Sequence, residues 1–297
     1  MKKSIYTLAF AALLMAGCES KEVEPQAVVD LNEIRIEASV GGGTRVTGTA
    51  FDEGDCMSLY AVEYDGDKVA SLQPSGNYLN NEAMTLVDGV WQGERPLYWS
   101  EVPCDFYAVY PYQKPGTVSE YLFDLPLDQN TPAAEGELSG YEAADLLWAK
   151  AEGVTREDGV VDMQFKHMMS RIVVKIERGE KYEGELPEDI VVHLYNTVTT
   201  AEVDLTKGSL QRYAHGEKGT ITMKQLSGDT FTAIVVPQNI ERRTPLVEVT
   251  MEGIAYLLTY STSFRPGYQH TITITLNTSP DQEKIEIDLD GEVDDWN

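Results

Sequence analysis

From Ile34 onward the chain is written in short segments in which apolar and polar residues alternate, and that period of two commits it to pleated sheet. Ile34, Ile36, Ala38 and Val40 alternate with Arg35, Glu37 and Ser39, which turns one face of the segment to a core and the other to water. Gly41-Gly42-Gly43 then breaks the pattern. Comparable segments follow at 57–64, 84–91, 105–112, 121–125, 145–150, 160–167, 171–177, 190–195, 201–205, 220–224, 230–236, 246–251, 255–260, 270–276 and 284–289. They are rich in Val, Ile, Thr and Tyr, the residues that suit a pleated surface. Only 133–144 has room for a short helix. Short strands set off by turn residues predict an all-β chain built of antiparallel β-sandwiches. The polar stretch 152–158 is the expected joint between two of them, giving an N-terminal sandwich over 34–155 and a C-terminal one over 156–297.

The first residues are of another kind. Lys2 and Lys3 precede an uncharged apolar run over 5–16, which ends in Leu14-Met15-Ala16-Gly17-Cys18. The run is too short to span a bilayer comfortably and has the order of an export signal. A cysteine directly after small residues resembles a lipobox. The expectation is therefore a signal peptide over 1–17, cleavage at Gly17–Cys18 and a lipid on Cys18, with several acyl chains making the anchor stable. Residues 18–33 then serve as a polar tether containing Pro25.

Charge excludes one class of partner. The full chain carries 23 Lys+Arg and 49 Asp+Glu. Without residues 1–17, which hold two lysines and no acids, the balance is 21 − 49 = −28. Such a chain repels phosphate backbones, so no nucleic-acid partner is expected. The acids are spread along the sequence, as on a solvated surface.

Catalytic signatures are missing. There is no C-x-x-C, H-E-x-x-H, G-x-S-x-G or Gly-rich phosphate loop. His167, His193, His215 and His270 lie far apart in sequence, which suits packed or surface roles better than a metal site. Asp288, Asp290, Glu292, Asp294 and Asp295 include a D-x-D-G but lack the rest of a calcium loop, and read as a charged strand end. Tyr98, Trp99, Tyr107, Tyr110 and Tyr112 sit in strand patterns where core or cross-strand packing is the default over sugar binding. No enzyme activity, cofactor or metal is expected. Beside Cys18, two cysteines remain. Cys56 and Cys104 each start a strand-like run, so neighbouring strands can bring them together as a disulfide; two free thiols buried as small apolar residues are the alternative.

Several pieces in fixed order resemble the fimbrillin family in its Mfa-like branch, the type V pilus subunits and related surface lipoproteins. They are Thr44-Arg45; Phe51-Asp52-Glu53-Gly54-Asp55 with Met57-Ser58-Leu59-Tyr60-Ala61; Pro96-Leu97-Tyr98-Trp99; and Asp105-Phe106-Tyr107-Ala108-Val109-Tyr110-Pro111-Tyr112. Then come Asp145-Leu146-Leu147-Trp148-Ala149, Phe165-Lys166-His167-Met168-Met169-Ser170-Arg171-Ile172, Val235-Val236-Pro237-Gln238, Phe264-Arg265-Pro266-Gly267-Tyr268 and Asp295-Trp296. The resemblance implies two transthyretin-like sandwich domains and assembly by strand exchange on the outer membrane. An arginine-specific protease removes an N-terminal strand, and the groove left behind accepts a strand from another pilus subunit of the same fold. Ile34 to Val40 has the pattern of the removable strand, Arg45 is the expected processing site, and Ile285, Ile287 and Leu289 alternate as a strand that can be donated. A monomeric surface adhesin or glycan-binding lipoprotein is the alternative use of the same fold. His167, within the family pattern, reads as a structural polar residue.

Overall fold

A computed structural model describes residues 31–41, 51–278 and 287–296. Its strands all lie in the unit Asn32–Asn297, and the all-β architecture expected from the alternation is what is observed.

The largest sheet runs Ile36–Val40, Val161–His167, Leu147–Val154, Cys104–Tyr110, Cys56–Asp65, Leu79–Val87, Val90–Gly93, with the short Lys68–Val69 beside Cys56–Asp65. Its middle strands are buried on both faces, which is why Cys104–Tyr110 reads as an almost continuous apolar run. Met57, Leu59, Phe106, Ala108 and Phe165 face one core together with Ile34, Ile36 and Val40. Tyr60, Val62, Tyr107 and Val109 face the other, shared with the remaining sheets. The one charge in that buried run, Asp105, is satisfied by the Tyr64 hydroxyl, the Gly153 amide (both 2.9 Å) and the Lys150 ammonium at 2.9 Å, as a desolvated carboxylate requires.

Four further sheets surround the second core, the smallest pairing Asn239–Ile240 with Thr262–Ser263. One holds Lys224–Gln225, Thr230–Val235, Ser170–Arg178, Tyr268–Leu276 and Ile287–Asp295; another holds Lys218–Thr222, Val191–Val198, Pro245–Met251 and Ile254–Thr259. The third joins Ser209–Arg212 and Thr200–Asp204 to Tyr121–Asp124. Pairing is antiparallel except between Ile36–Val40 and Val161–His167, and between Ser170–Arg178 and Tyr268–Leu276, which are parallel.

Three local features differ from the sequence expectations. The segment 84–91 is not one strand: Asp88 and Gly89 at φ 52° and 74° turn the chain into a hairpin between Leu79–Val87 and Val90–Gly93, the left-handed pair that a two-residue loop needs. The helix is confined to Gly140–Ala144, fixed by the reciprocal cap of Ser139 and Glu142. Residues 152–158 are not a joint between bodies. They connect Leu147–Val154 to Val161–His167, two strands of one sheet, so that sheet extends to His167. Conversely Tyr121–Asp124 pairs with Thr200–Asp204.

Candidate assembly site

The first strand, Ile36–Val40, ends the path of the large sheet but is not an open edge along its whole length. On one side it runs parallel to Val161–His167, with Ile36 opposite Val161 and Val40 opposite Phe165. Val161 donates its amide to the Arg35 carbonyl at 2.8 Å, and Gly41 donates to the Phe165 carbonyl at 3.0 Å. On the other side the residues just before it meet Leu97–Tyr98–Trp99. The Ile34 amide donates to the Leu97 carbonyl at 2.7 Å, and the Trp99 amide to the Asn32 carbonyl at 3.0 Å. The N-terminal segment thus lies between Val161–His167 and the Leu97–Trp99 stretch that follows the sheet's other terminal strand, Val90–Gly93. Ile34, Ile36 and Val40 are each 6% exposed, while Arg35, Glu37 and Ser39 face water. Loss of the segment would uncover three large aliphatic side chains' worth of core, about 1.5–3 kcal/mol for each, together with unpaired groups on Val161, Phe165 and Leu97. That is a template for another strand.

The C-terminal strand, Ile287–Asp295, forms the opposite kind of edge. It pairs antiparallel with Tyr268–Leu276 through nine residue pairs, yet its side chains are almost all exposed. Asp288, Asp290, Glu292 and Asp294 form one face. Ile287, Leu289, Gly291 and Val293 form the other. Leu289 and Val293 remain 36% and 45% exposed, and a β-carbon on Gly291 would run into the hydroxyl of Tyr260. The strand's anchor is the residue after it. Trp296 is 8% exposed and donates its amide to the Gly267 carbonyl at 2.8 Å. Its indole stacks on His167, whose Nδ1 lies 2.9 Å from Asp145 Oδ1. His167 is therefore the polar residue the sequence suggested, but its partners Asp145 and Trp296 were not foreseen. The only signal was that all three fall in ordered motifs.

A cleft of about 690 Å³ adjoins the Val40 end of the first strand. Phe51, Tyr110 and Tyr141 supply aromatic walls, and Asp52, Asp55, Glu142 and Asp145 line it with carboxylates. Burial pushes the Asp55 carboxyl above its ordinary value of 3.8, although the Tyr110 hydroxyl donates to it at 2.7 Å and works the other way. Among the described residues no three metal-ligating side chains come together.

Cys18 and Arg45 lie outside the described residues. The expected bond between Cys56 and Cys104 is corrected by the register. Both are free thiols. Their strands are indeed neighbours, but antiparallel, with Cys104 opposite Glu63, seven residues along from Cys56. At about 3.3 Å per residue the two positions are roughly 23 Å apart, far beyond the reach of a disulfide.

The chain is similar in fold to solved structures of two proteins described as cell adhesion proteins. One is from Bacteroides uniformis ATCC 8492, with 22% identity, TM-score 0.65 and coverage of 89% of this chain and 98% of that one. The other is from Bacteroides ovatus ATCC 8483, with 18% identity, TM-score 0.67 and coverage of 89% and 98%. A fimbrial protein from the same B. ovatus strain is similar over 84% of this chain and 51% of its own, at 19% identity and TM-score 0.51. No curated protein matches the chain in sequence. The sequence model of the fimbrillin-like family matches residues 44–296; the chain belongs to that family.

Proposed function

We propose that the chain is the precursor of a subunit of an adhesive surface fimbria, held closed by its own first strand. Lipidation of Cys18 anchors the exported precursor to the outer membrane. An arginine-specific protease then cuts after Arg45 and removes the first strand, and the groove accepts a strand from a neighbouring subunit. Two transthyretin-like sandwich bodies, changing over after His167, carry the groove and the donated strand. The role is structural, not enzymatic.

The observation that supports this reading most is the position of Ile36–Val40. Among the described residues it is the first strand, it pairs with Val161–His167 while Asn32 and Ile34 just before it bond Trp99 and Leu97, and the proposed cut lies just beyond it. While it is in place the sheet has no vacancy; without it, apolar floor and backbone groups are exposed together. The exposed terminal strand, Ile287–Asp295, supplies the donor.

Treatment of the purified precursor with an arginine-specific protease tests it. The expected result is one cut after Arg45, followed by a concentration-dependent ladder of oligomers. A cut body that stays monomeric at high concentration, or an Arg45→Ala protein that still assembles in cells, overturns the strand-exchange role. Release of Cys18→Ser protein from membranes, with loss of acyl labelling, tests the anchor separately.

A further inference from the structure

We infer that the outer edge of the strand Ile254–Thr259 is a docking surface for the same strand of a second copy, the two pairing antiparallel about a two-fold axis at Leu257. The inference does not depend on strand exchange. The sheet concerned holds Lys218–Thr222, Val191–Val198, Pro245–Met251 and Ile254–Thr259, and neither 36–40 nor 287–295 belongs to it.

Ile254–Thr259 ends that sheet and pairs there with Pro245–Met251. A two-residue loop, Glu252 and Gly253 at φ 49° and 75°, joins the two strands. In such a hairpin the residues flanking the loop exchange both backbone bonds, and bonded and non-bonded pairs alternate from there. Ile254, Tyr256 and Leu258 therefore bond to the neighbouring strand, opposite Met251, Val249 and Val247. Ala255, Leu257 and Thr259 turn their N–H and C=O groups to the open side. Their side chains lie on the outer face of the sheet and are exposed, Leu257 to 52%, while Tyr256 and Leu258 pack on the core.

Open edges normally carry a charge, a proline or a bulge that keeps other strands away. The described strands of five or more residues that end a sheet follow this rule in three cases. Ile36–Val40 carries Glu37, Lys218–Thr222 carries Lys218, and Ile287–Asp295 carries a row of acids. Ile254–Thr259 is the exception. The run from Ile254 to Ser263 has no charge, proline or glycine, in a chain whose net charge is −26.

The strand that fits this edge is extended, uncharged, and offers outward bonding groups at the same spacing. Ile254–Thr259 of a second copy meets all three conditions, and an isologous contact closes on itself. With Leu257 opposite the Leu257 of the second copy, Ala255 meets Thr259 and Thr259 meets Ala255. All three outward residues are then paired, with two backbone bonds to each pair. Moving the axis to residue 256 pairs Ala255 with Leu257 and leaves Thr259 beyond the strand. Moving it to residue 258 pairs Leu257 with Thr259 and leaves Ala255 beyond it. In the central register leucine covers leucine, alanine stands against threonine, and no charge meets a charge. Two copies of so acidic a chain repel each other, and an uncharged strand is where they approach at least cost. The acids of Ile287–Asp295 stand nearby, since Tyr260 reaches Gly291; they lie on the face turned away from Tyr260, and salt screens them. The contact is smaller than a standard stable interface of about 1,600 Å². It is a weak, reversible pairing that gains strength where many copies stand side by side.

The test uses the full unprocessed chain carrying Cys18→Ser and Arg45→Ala, so that neither a lipid nor strand exchange contributes to association. Sedimentation velocity is expected to show a concentration-dependent dimer that strengthens with added salt. Leu257→Lys and Leu257→Glu should each be monomeric with an unchanged urea midpoint, because each sets like charges opposite one another at an exposed position. The two variants mixed should dimerise, lysine opposite glutamate. Cysteines read the axis directly. Leu257→Cys is expected to form a 257–257 disulfide at roughly tenfold or greater yield over Thr259→Cys, since directly opposed antiparallel residues are within disulfide reach and positions four residues out of register are not. Peptide mass mapping distinguishes that link from any formed by Cys56 or Cys104. A chain that stays monomeric at every concentration, a dimer that survives Leu257→Lys, a mixture of the two charged variants that stays monomeric, or Thr259→Cys linking as well as Leu257→Cys overturns the pairing. Each of these outcomes leaves strand exchange standing, because that is tested on the processed wild-type chain.

Discussion

The indole of Trp296 lies flat on the imidazole of His167, ring centroids 3.7 Å apart and planes 14° from parallel. It binds the end of the chain to the last residue of the large sheet, next to the Asp145 carboxylate that holds the other edge of the imidazole. The strand before it contributes little side-chain burial, so this stack decides whether the C terminus stays at home. Trp296→Ala is expected to cost about 3–5 kcal/mol of local stability. Faster amide exchange and proteolysis confined to 287–295, with exchange in Cys104–Tyr110 unchanged, is the signature to measure. Equal loss of protection in both strands would mean that the stack supports the whole fold.

The cysteines make a simpler case. Burial raises the Cys104 thiol to about 11 and pushes the half-buried Cys56 thiol up as well. Both should remain thiols in protein purified without reductant. At pH 8, Cys56 should alkylate more slowly than a free cysteine, and Cys104 only after unfolding. Non-reduced peptide mapping that finds a 56–104 bond would contradict the strand register.

Acid should weaken the fold through His270. Burial holds its imidazole below the ordinary value of 6.5, and the nearby Arg265 adds to the effect. Its Nε2 is buried without a partner. The folded state therefore prefers the neutral ring. This stability is fully present above pH 6.5 and is lost as the pH falls from there toward the depressed value. His270→Leu should unfold at a nearly unchanged urea midpoint at pH 7.5 and at a higher one than wild type at pH 5.5. A pH-independent difference between the two would exclude this source.

Gly208 meets two obstacles to a side chain at once. It has φ +60°, and a β-carbon there would run into the ring of Trp148, which is fixed by its own bond from Nε1 to the Leu205 carbonyl at 2.8 Å. Left-handed strain and overpacking together predict a loss of about 2–4 kcal/mol for Gly208→Ala, seen as a lower urea midpoint with unchanged slope.

Much of this was legible in the sequence because the information was local. The alternation at Ile34 to Val40 marked both the strand and its buried face. The stretch 133–144 left room for the short helix, although the capping pair Ser139 and Glu142 that fixes it at 140–144 was not read in advance. Asp88-Gly89 was an equally local hairpin signal that the longer apolar run obscured. What could not be read depended on register. Cys56 and Cys104 lie on adjacent strands, and only the antiparallel offset keeps them apart. His167 and Trp296 are brought together by the return of the chain's far end. The expected division between 155 and 156 is crossed for the same reason, with Val161–His167 in the first sheet and Tyr121–Asp124 beside Thr200–Asp204: composition changes along the chain, whereas strand pairing need not follow it.

The parallel pairing of Ile36 with Val161 spans 161 − 36 = 125 residues of sequence, and this sets an order of events. The strand that completes the large sheet is among the first parts synthesised and the last able to dock, since its bed does not exist until Val161–His167 has emerged. Until then Ile36–Val40 has no ladder partner, and closing so long a loop is slow even afterwards. Every molecule therefore passes through a gapped sheet once, during its own maturation. Under the strand exchange proposed above, removal of Ile36–Val40 returns the sheet to that earlier, gapped arrangement.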